Sequence, residues 1–477
     1  MQLGNSMRPP AKRPNRQLSS SPVGAVRREY GSILVGLLWC VTLLAVVVIS
    51  ALHTARMDLM VVKNYGDKIQ ARYLALAGIE KAKALLYQNA RDRSRTGKNH
   101  TGELYNAPEQ FRDVAFGRGQ FRVFRRARPD EGGGVLYGIS DEESRLNLNI
   151  AASDQLTNLA GLTPEIAAAI LAWRGENGTA NPAGADADYY AAQQPPYQPR
   201  HGRFQTIREL LMVRGVSPDL LLRDDPHQNG GLETGGAAPE NSAMPDGGSG
   251  GVDAGWAGNL TVDSTDNEQS AAGQDRVNIQ NADLAALTGV RGITPAIAQA
   301  ILAYRNQNRF HSIADLLDVS RPANNQNQNP SAGNAPADQS APANSGPKVI
   351  DENLFLDIAD DVTVDTGANQ AGLINLNTAG LDVLTCLPGV TRELAQAIIA
   401  YRQSNGFFAN VAWLLKVDGM TRDLFKQIAP LVTARSETFR ILSEGRINST
   451  GTRQRIQMIV HVGLDEVTTL SYREDDL

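Results

Sequence analysis

The chain has 477 residues, 46 Lys plus Arg against 51 Asp plus Glu for a net charge of −5, and two cysteines. That length allows about two to four domains. The net charge gives no global reason to expect nucleic-acid binding, and cysteines as far apart as Cys40 and Cys386 exclude a disulfide framework.

Residues 1–31 form a basic leader, with Arg8, Lys12, Arg13, Arg16, Arg27 and Arg28 against Glu29. The 21 residues from Ser32 to Leu52 carry no charge. As a helix they rise about 30 Å, the thickness of a bilayer's hydrocarbon core. The run is too long for the apolar region of a secretory signal peptide, and no small-x-small site follows it. Bulky Leu38 and Trp39 before Cys40 exclude a lipoprotein site. The reading is therefore a single membrane span over 32–52. The basic leader stays in the cytoplasm by the positive-inside rule, and the bulk of the chain lies across the membrane.

The helix is expected to continue to about Ala90, within a segment at 53–98. Val62, Tyr65, Ile69, Tyr73, Leu76, Ile79, Ala82 and Leu86 recur there at spacings of three and four, as one apolar stripe. Strands are expected at 110–144. Phe121 and Val123 alternate with polar positions, Gly132-Gly133-Gly134 offers a turn, and Val135, Tyr137 and Ile139 alternate after it, which predicts a hairpin. A second hairpin at 437–464, turning at Asn448-Ser449-Thr450-Gly451, is expected to close the chain. Between the hairpins, Asp141-Glu142-Glu143 reads as a solvated acidic turn. The fold class is α+β: a long N-terminal transmembrane helix on a small antiparallel sheet split in sequence by an inserted all-α region.

That insertion repeats three times. Asn147-Leu148-Asn149, Asn278-Ile279-Gln280 and Asn375-Leu376-Asn377 open the copies. Each is followed by a turn, at Gly161-Leu162-Thr163, Gly292-Ile293-Thr294 and Gly389-Val390-Thr391, and ends at Trp173-Arg174, Tyr304-Arg305 or Tyr401-Arg402. The Asn-to-Gly spacing is 14 and the Gly-to-aromatic spacing 12 in all three. Glycine permits the tight turn and threonine caps the next helix, so each copy is a helix-hairpin-helix. The regions are placed at 145–224, 276–320 and 372–435. A second hairpin follows at Gly215 and Gly419; the middle copy is expected to lose it at Ser320. Two stretches poor in large apolar residues, an acidic one at 225–275 and an Asn/Pro/Ala-rich one at 321–347, read as disordered linkers.

Helix-hairpin-helix units that bind DNA usually carry a second glycine after the turn. Thr163, Thr294 and Thr391 stand there instead, Glu165 and Glu393 would repel a phosphate, and no lysine lies in the first helical turn. Packing or protein contact is therefore favoured over nucleic acid. The six histidines have no metal-ligand spacing, and no phosphate loop or nucleophile elbow occurs. No enzyme and no required cofactor are expected.

Taken together, the junction Arg27-Arg28-Glu29-Tyr30-Gly31 before the apolar run, the segment Arg72 to Glu80, the segment Ile139 to Asn149 and the stretch from Pro195-Pro196-Tyr197 to Gly215 resemble the K-type minor pseudopilin of type II secretion systems. The resemblance implies cleavage by a prepilin peptidase between Gly31 and Ser32. Most pilins have Glu at the fifth mature position; Gly36 stands there, as in K-type proteins, which fits a subunit that starts the filament. The resemblance further implies I- and J-type minor pseudopilins and the inner-membrane secretion platform as partners. It implies contact with secreted substrates or the outer-membrane channel, an inner-membrane and periplasmic location, and calcium in some members, for which no ligand set is identified. The rival reading is a membrane-anchored helix-hairpin-helix DNA receptor for natural transformation, which Ile374 to Val432 resembles.

Overall fold

The computed structural model describes residues 30–99, 102–175, 187–222, 255–267, 269–321, 347–364 and 369–475. The leader residues 1–29, and the parts of the two expected linkers at 225–254 and 322–346, lie outside the described residues. The chain forms two compact units, 1–65 and 66–477. One helix, α1 (Tyr30–Thr96), has residues in both. In the first unit every side chain from Ile33 to Tyr65 is exposed. The most apolar 18-residue window of α1 has mean hydropathy 2.8, so the helix is long and apolar enough to cross a membrane.

In the second unit α1 lies on an antiparallel sheet. Its strands are β1 (Val114–Phe116), β2 (Gly119–Val123), β3 (Ser140–Asp141), β4 (Thr438–Ile447), β5 (Arg453–Val462) and β6 (Val467–Asp475). The order is β1-β2-β4-β5-β6, and β3 pairs the start of β4. The face of α1 that meets the sheet is Ala71, Leu74, Ala75, Ile79, Ala82, Leu86 and Ala90, all buried. This corrects the expected stripe, for Val62, Tyr65, Ile69 and Tyr73 are exposed. Small residues decide the buried face. A Cβ on Gly445 of β4 would collide with the Ala71 carbonyl, and one on Gly78 with the Ser443 hydroxyl, so helix and sheet approach nearly backbone to backbone.

Two strand expectations are also corrected. β2 turns at Gly117 and pairs β1, not the segment after Gly134; that later turn joins only Arg125–Arg126 to Val135–Leu136. The C-terminal hairpin is followed by a third strand, β6, an edge strand with Leu470 and Tyr472 exposed.

The three repeats are built alike. Each opening strand pairs in parallel with a strand that closes the copy: Leu146–Asn147 with Leu260–Thr261, Val277–Asn278 with Val362–Thr363, and Ile374–Asn375 with Val432–Thr433. Copies one and two thus extend well beyond 224 and 320. The segment 255–262 is folded rather than linker, because Trp256 is 4% exposed, donates Nε1–H to Ala160 O at 3.0 Å, and is followed by buried Leu260 and Val262. Copy two does not lose its second helix. Glu352–Ile358, capped by Asp351, supplies it on the far side of residues 322–346. Leu354, Phe355, Ile358 and Ala359 stand where copy three has Leu424, Phe425, Ile428 and Ala429, each 70 residues later. In copy one the stretch from Tyr189 to Tyr197 packs back on Trp173, with fully buried Tyr190 edge-on to the indole at 5.5 Å.

Candidate functional site

The hairpins come first. Gly161, Gly292 and Gly389 have φ of +82°, +97° and +71°, and the second-hairpin residues Gly215 and Gly419 have +86° and +85°. Glycine reaches that region without the strain a Cβ imposes. Thr163, Thr294 and Thr391 accept the N–H of Ile166, Ile297 and Leu394 at 3.4, 3.4 and 3.3 Å, each capping the following helix. The five turn glycines and the three threonines are exposed. A Cβ on Gly292 or Gly389 would lie 2.8 Å from Leu354 Cδ1 or Leu424 Cδ1, side chains of the second helix in the same copy. The helix starts of copies one and three already hold a carboxylate. Glu165 is held below its ordinary range by the Thr163 hydroxyl and its own backbone N–H, and Glu393 by its own backbone N–H and Thr391. The helix dipole favours both anions at the place where a phosphate would sit.

The Asn and Arg positions mark the repeats in the sequence, and in the structure they hold each copy shut. The side-chain oxygens of Asn147, Asn278 and Asn375 accept from the N–H two residues on, at 2.8, 2.8 and 2.9 Å. Asn149, Gln280 and Asn377 accept from the N–H of Phe204, Phe310 and Phe408 at 2.6, 3.0 and 2.7 Å. The arginine after each aromatic reaches back to the first turn. Arg174 donates to Leu148 O and Ala151 O, Arg305 to Ile279 O and Ala282 O, and Arg402 to Leu376 O and Ala379 O. Arg402 also pairs Asp130 at 3.1 Å, which ties copy three to the loop after β2; burial, then nearby Arg128, lowers its pKa to about 10. The threefold recurrence of aromatic-Arg was the visible signal.

The joint between sheet and repeats is the largest departure from expectation. Asp141, Glu142 and Glu143 are 4%, 0% and 1% exposed, so they are not a solvated turn. Asp141 Oδ1 accepts from Glu143 N at 2.8 Å, and its Oδ2 accepts from Asn375 Nδ2 at 3.0 Å and from the Thr378 hydroxyl. Glu142 meets Arg145 Nη1 at 2.7 Å, Arg440 Nε at 2.6 Å and the Thr261 hydroxyl at 2.5 Å. Glu143 Oε2 accepts from Glu437 N and Thr438 N at 3.3 Å. Three consecutive acids therefore reach copy three, copy one and β4. Their charges respond differently. Burial pushes Asp141 up, an effect its hydrogen bonds from Ser436, Thr378 and Asn375 only partly offset. Burial opposes ionisation of Glu142 too, but Arg145 and Arg440 outweigh it and hold the carboxyl below its usual range. Tyr105, raised by burial and then by the Asp141 and Glu143 charges, borders the same cluster.

Among the described residues no group of three or more His, Cys, Asp or Glu is placed to hold a metal ion, so no calcium ligand set is assigned. Gly31 and Ser32 lie in the first turn of α1. Gly36 is on its exposed apolar part, with open space where a Cβ would stand.

Residues 136–227 match the family described as Type II secretion system (T2SS), protein K. Residues 273–322 and 369–433 match the helix-hairpin-helix motif family. The chain is 36% identical over 73 residues to ComE operon protein 1 of Bacillus subtilis, covering 15% of this chain and 36% of that protein. It is 42% identical over 69 residues to protein YhgF of Escherichia coli, 14% of this chain and 9% of that one. With the mouse endonuclease/exonuclease/phosphatase family domain-containing protein 1 it shares 26% identity over 162 residues, 34% of this chain and 28% of the other. It thus spans about a third or less of these relatives. The GspK-GspI-GspJ complex from the enterotoxigenic Escherichia coli type 2 secretion system is similar at TM-score 0.39 and 12% identity, over 89% of this chain and 99% of that one. Residues 136–227, about a fifth of the chain, carry the strand that enters the repeats together with most of copy one, and over them the chain is similar to type II secretion system protein K.

Proposed function

We propose that this protein is a minor pseudopilin that starts the periplasmic pseudopilus and caps its tip. The observation that carries the reading is the protein K domain at 136–227, inserted in a sheet that rests on a helix with a membrane-length apolar run. Gly36 supports the tip position. A carboxylate there would serve a subunit stacked on a neighbour, and a first subunit has no such contact to make. In this reading a prepilin peptidase cuts between Gly31 and Ser32. The leader is cytoplasmic and the repeats periplasmic. I- and J-type minor pseudopilins join through the N-terminal helices, and no catalysis is involved. The inner-membrane platform is the assembly partner, and the repeats face secreted substrates or the outer-membrane channel. The test is co-purification of the full chain in detergent with the I- and J-type proteins of the same cell. A stable complex of the three is expected; a chain that purifies alone from cells holding both partners overturns the proposal.

A second reading, a membrane-anchored DNA receptor, has the 73-residue likeness to ComE operon protein 1 in its favour. The capping threonines and the carboxylates of Glu165 and Glu393 at the helix starts weigh against it. Duplex DNA bound at physiological salt with a steep salt dependence would favour that receptor.

A further inference from the structure

Copies two and three enclose a cleft of about 290 Å³. Much of its lining comes in equivalent pairs, one residue from each copy: Ser312 and Asn410, Val362 and Val432, Thr363 and Thr433. The closing strands of two like modules thus oppose each other across a gap, and pockets form preferentially at such junctions. The charged residues do not follow the pairing. Arg276, Arg309, His311 and Arg435 line the cleft against one carboxylate, Asp360.

Arg435 and Arg276 meet the same Asp360 oxygen at 2.8 and 3.3 Å, two guanidiniums on one acid. Burial works against the Asp360 charge, but these arginines overcome it and hold the carboxyl low. Asp361, which is not a lining residue, is pushed the other way by burial and by the Asp360 charge. Arg309 and His311 are exposed at the rim, and Arg309 has no ion pair among the described residues. The lining residues thus include three guanidiniums and one carboxylate, with hydroxyl and amide groups from Ser312, Thr363, Thr433 and Asn410. Arg435 also donates to the Gln269 carbonyl and Arg276 to the Asp360 carbonyl, and the Asp361 charge acts on both, so Arg309 is the cation that adds to the surplus. Guanidinium forks match planar or tetrahedral oxyanions, and the partly closed wall strengthens the attraction.

We propose that the cleft between copies two and three is a binding site for a small oxyanion, a carboxylate or phosphate group held between the Arg276–Arg435 pair and Arg309. The full chain in detergent would be titrated by calorimetry with inorganic phosphate and, separately, with acetate, at constant ionic strength held by chloride. Saturable binding of at least one is expected, and the stronger of the two identifies the group. Arg309→Gln, at an exposed position, should weaken that binding about tenfold without changing the melting temperature in chloride alone. Binding of neither anion overturns the proposal, as does an Arg309→Gln protein that binds like wild type. A short DNA duplex that binds through Arg309 while phosphate and acetate do not would overturn it in favour of nucleic acid. None of these outcomes depends on the pseudopilin reading.

Discussion

Phe355 meets Phe425 edge to face, with ring centroids 5.9 Å apart. The two occupy the same place in successive copies, 70 residues apart. Contact between equivalent residues is what an isologous interface produces, where one surface patch meets its own copy. The second helices, Glu352–Ile358 and Arg422–Ile428, accordingly each pack on the turn Ile313–Asp318 of copy two and the turn Val411–Lys416 of copy three. Both phenylalanines are fully buried. Each Phe→Ala change should cost about 3–5 kcal/mol. The double variant should cost less than the sum by about 0.5–1.5 kcal/mol, the share of the ring pair itself. Urea unfolding of the four proteins measures this, and strict additivity would mean that the pair does not couple the copies.

Glu142→Gln keeps shape and removes one charge. It leaves the partly buried Arg145 and Arg440 without the fully buried carboxylate they share. Breaking such a group by one member costs about 3–5 kcal/mol. The loss should appear in chemical denaturation as a lower midpoint, and Arg440→Met with Glu142→Leu together should recover part of it.

The neighbouring acids predict opposite pH dependence. The folded-state pKa of Asp141 is raised, so its contribution is present below the unfolded value and is lost as pH rises through the folded one. The folded-state pKa of Glu142 is lowered, so its contribution is present above the unfolded value and is lost as pH falls through the folded one. Asp141→Asn fixes the neutral form. Its melting temperature should therefore fall less than that of wild type as pH rises above the ordinary carboxylate range. Parallel curves for the two proteins would assign the charge of Asp141 no part in stability.

Gly389→Ala and Gly419→Ala separate two costs. Both positions have positive φ, so both pay backbone strain, but only at Gly389 would the methyl press on Leu424 Cδ1, at 2.8 Å; at Gly419 the nearest atom, Leu394 Cδ1, is 3.7 Å away. Strain alone is about 1 kcal/mol or somewhat more. Thermal melts should rank Gly389→Ala clearly below Gly419→Ala, and equal melting temperatures would contradict the packing argument.

Processing can be read directly by mass spectrometry. The mature chain is expected to begin at Ser32, and Gly31→Leu to retain residues 1–31 while still reaching the membrane fraction. A wild-type chain that keeps Met1 would exclude peptidase cleavage. Gly36→Glu places a carboxylate in the apolar run at about 2.5–3.5 kcal/mol if it stays unpaired at mid-bilayer, and assembly with partners should decline.

The long helix, the split sheet and the three copies were legible because each announces itself by a period or a fixed spacing. What escaped shares one cause: partners distant in sequence. The acid run looks solvated until Arg440 is placed beside Glu142, 298 residues away. The second helix of copy two stands beyond residues 322–346, so the repeat looked truncated at Ser320. In α1, Ile79, Ala82 and Leu86 of the expected stripe are buried, but before them the buried face turns to Ala71, Ala75 and Gly78, whose role is closeness rather than hydrophobicity. The edge strand β6 is largely exposed and has no apolar face to announce it.

The sheet pairing of Asp141 with Phe439 has an evolutionary consequence. Everything between those residues leaves and returns through two neighbouring strands whose positions the sheet already fixes. Closing a longer excursion between fixed ends costs only about 0.6 kcal/mol per doubling of its length. The insert is a cassette: a repeat can be duplicated, or lost, while the helix and the sheet stay as they are.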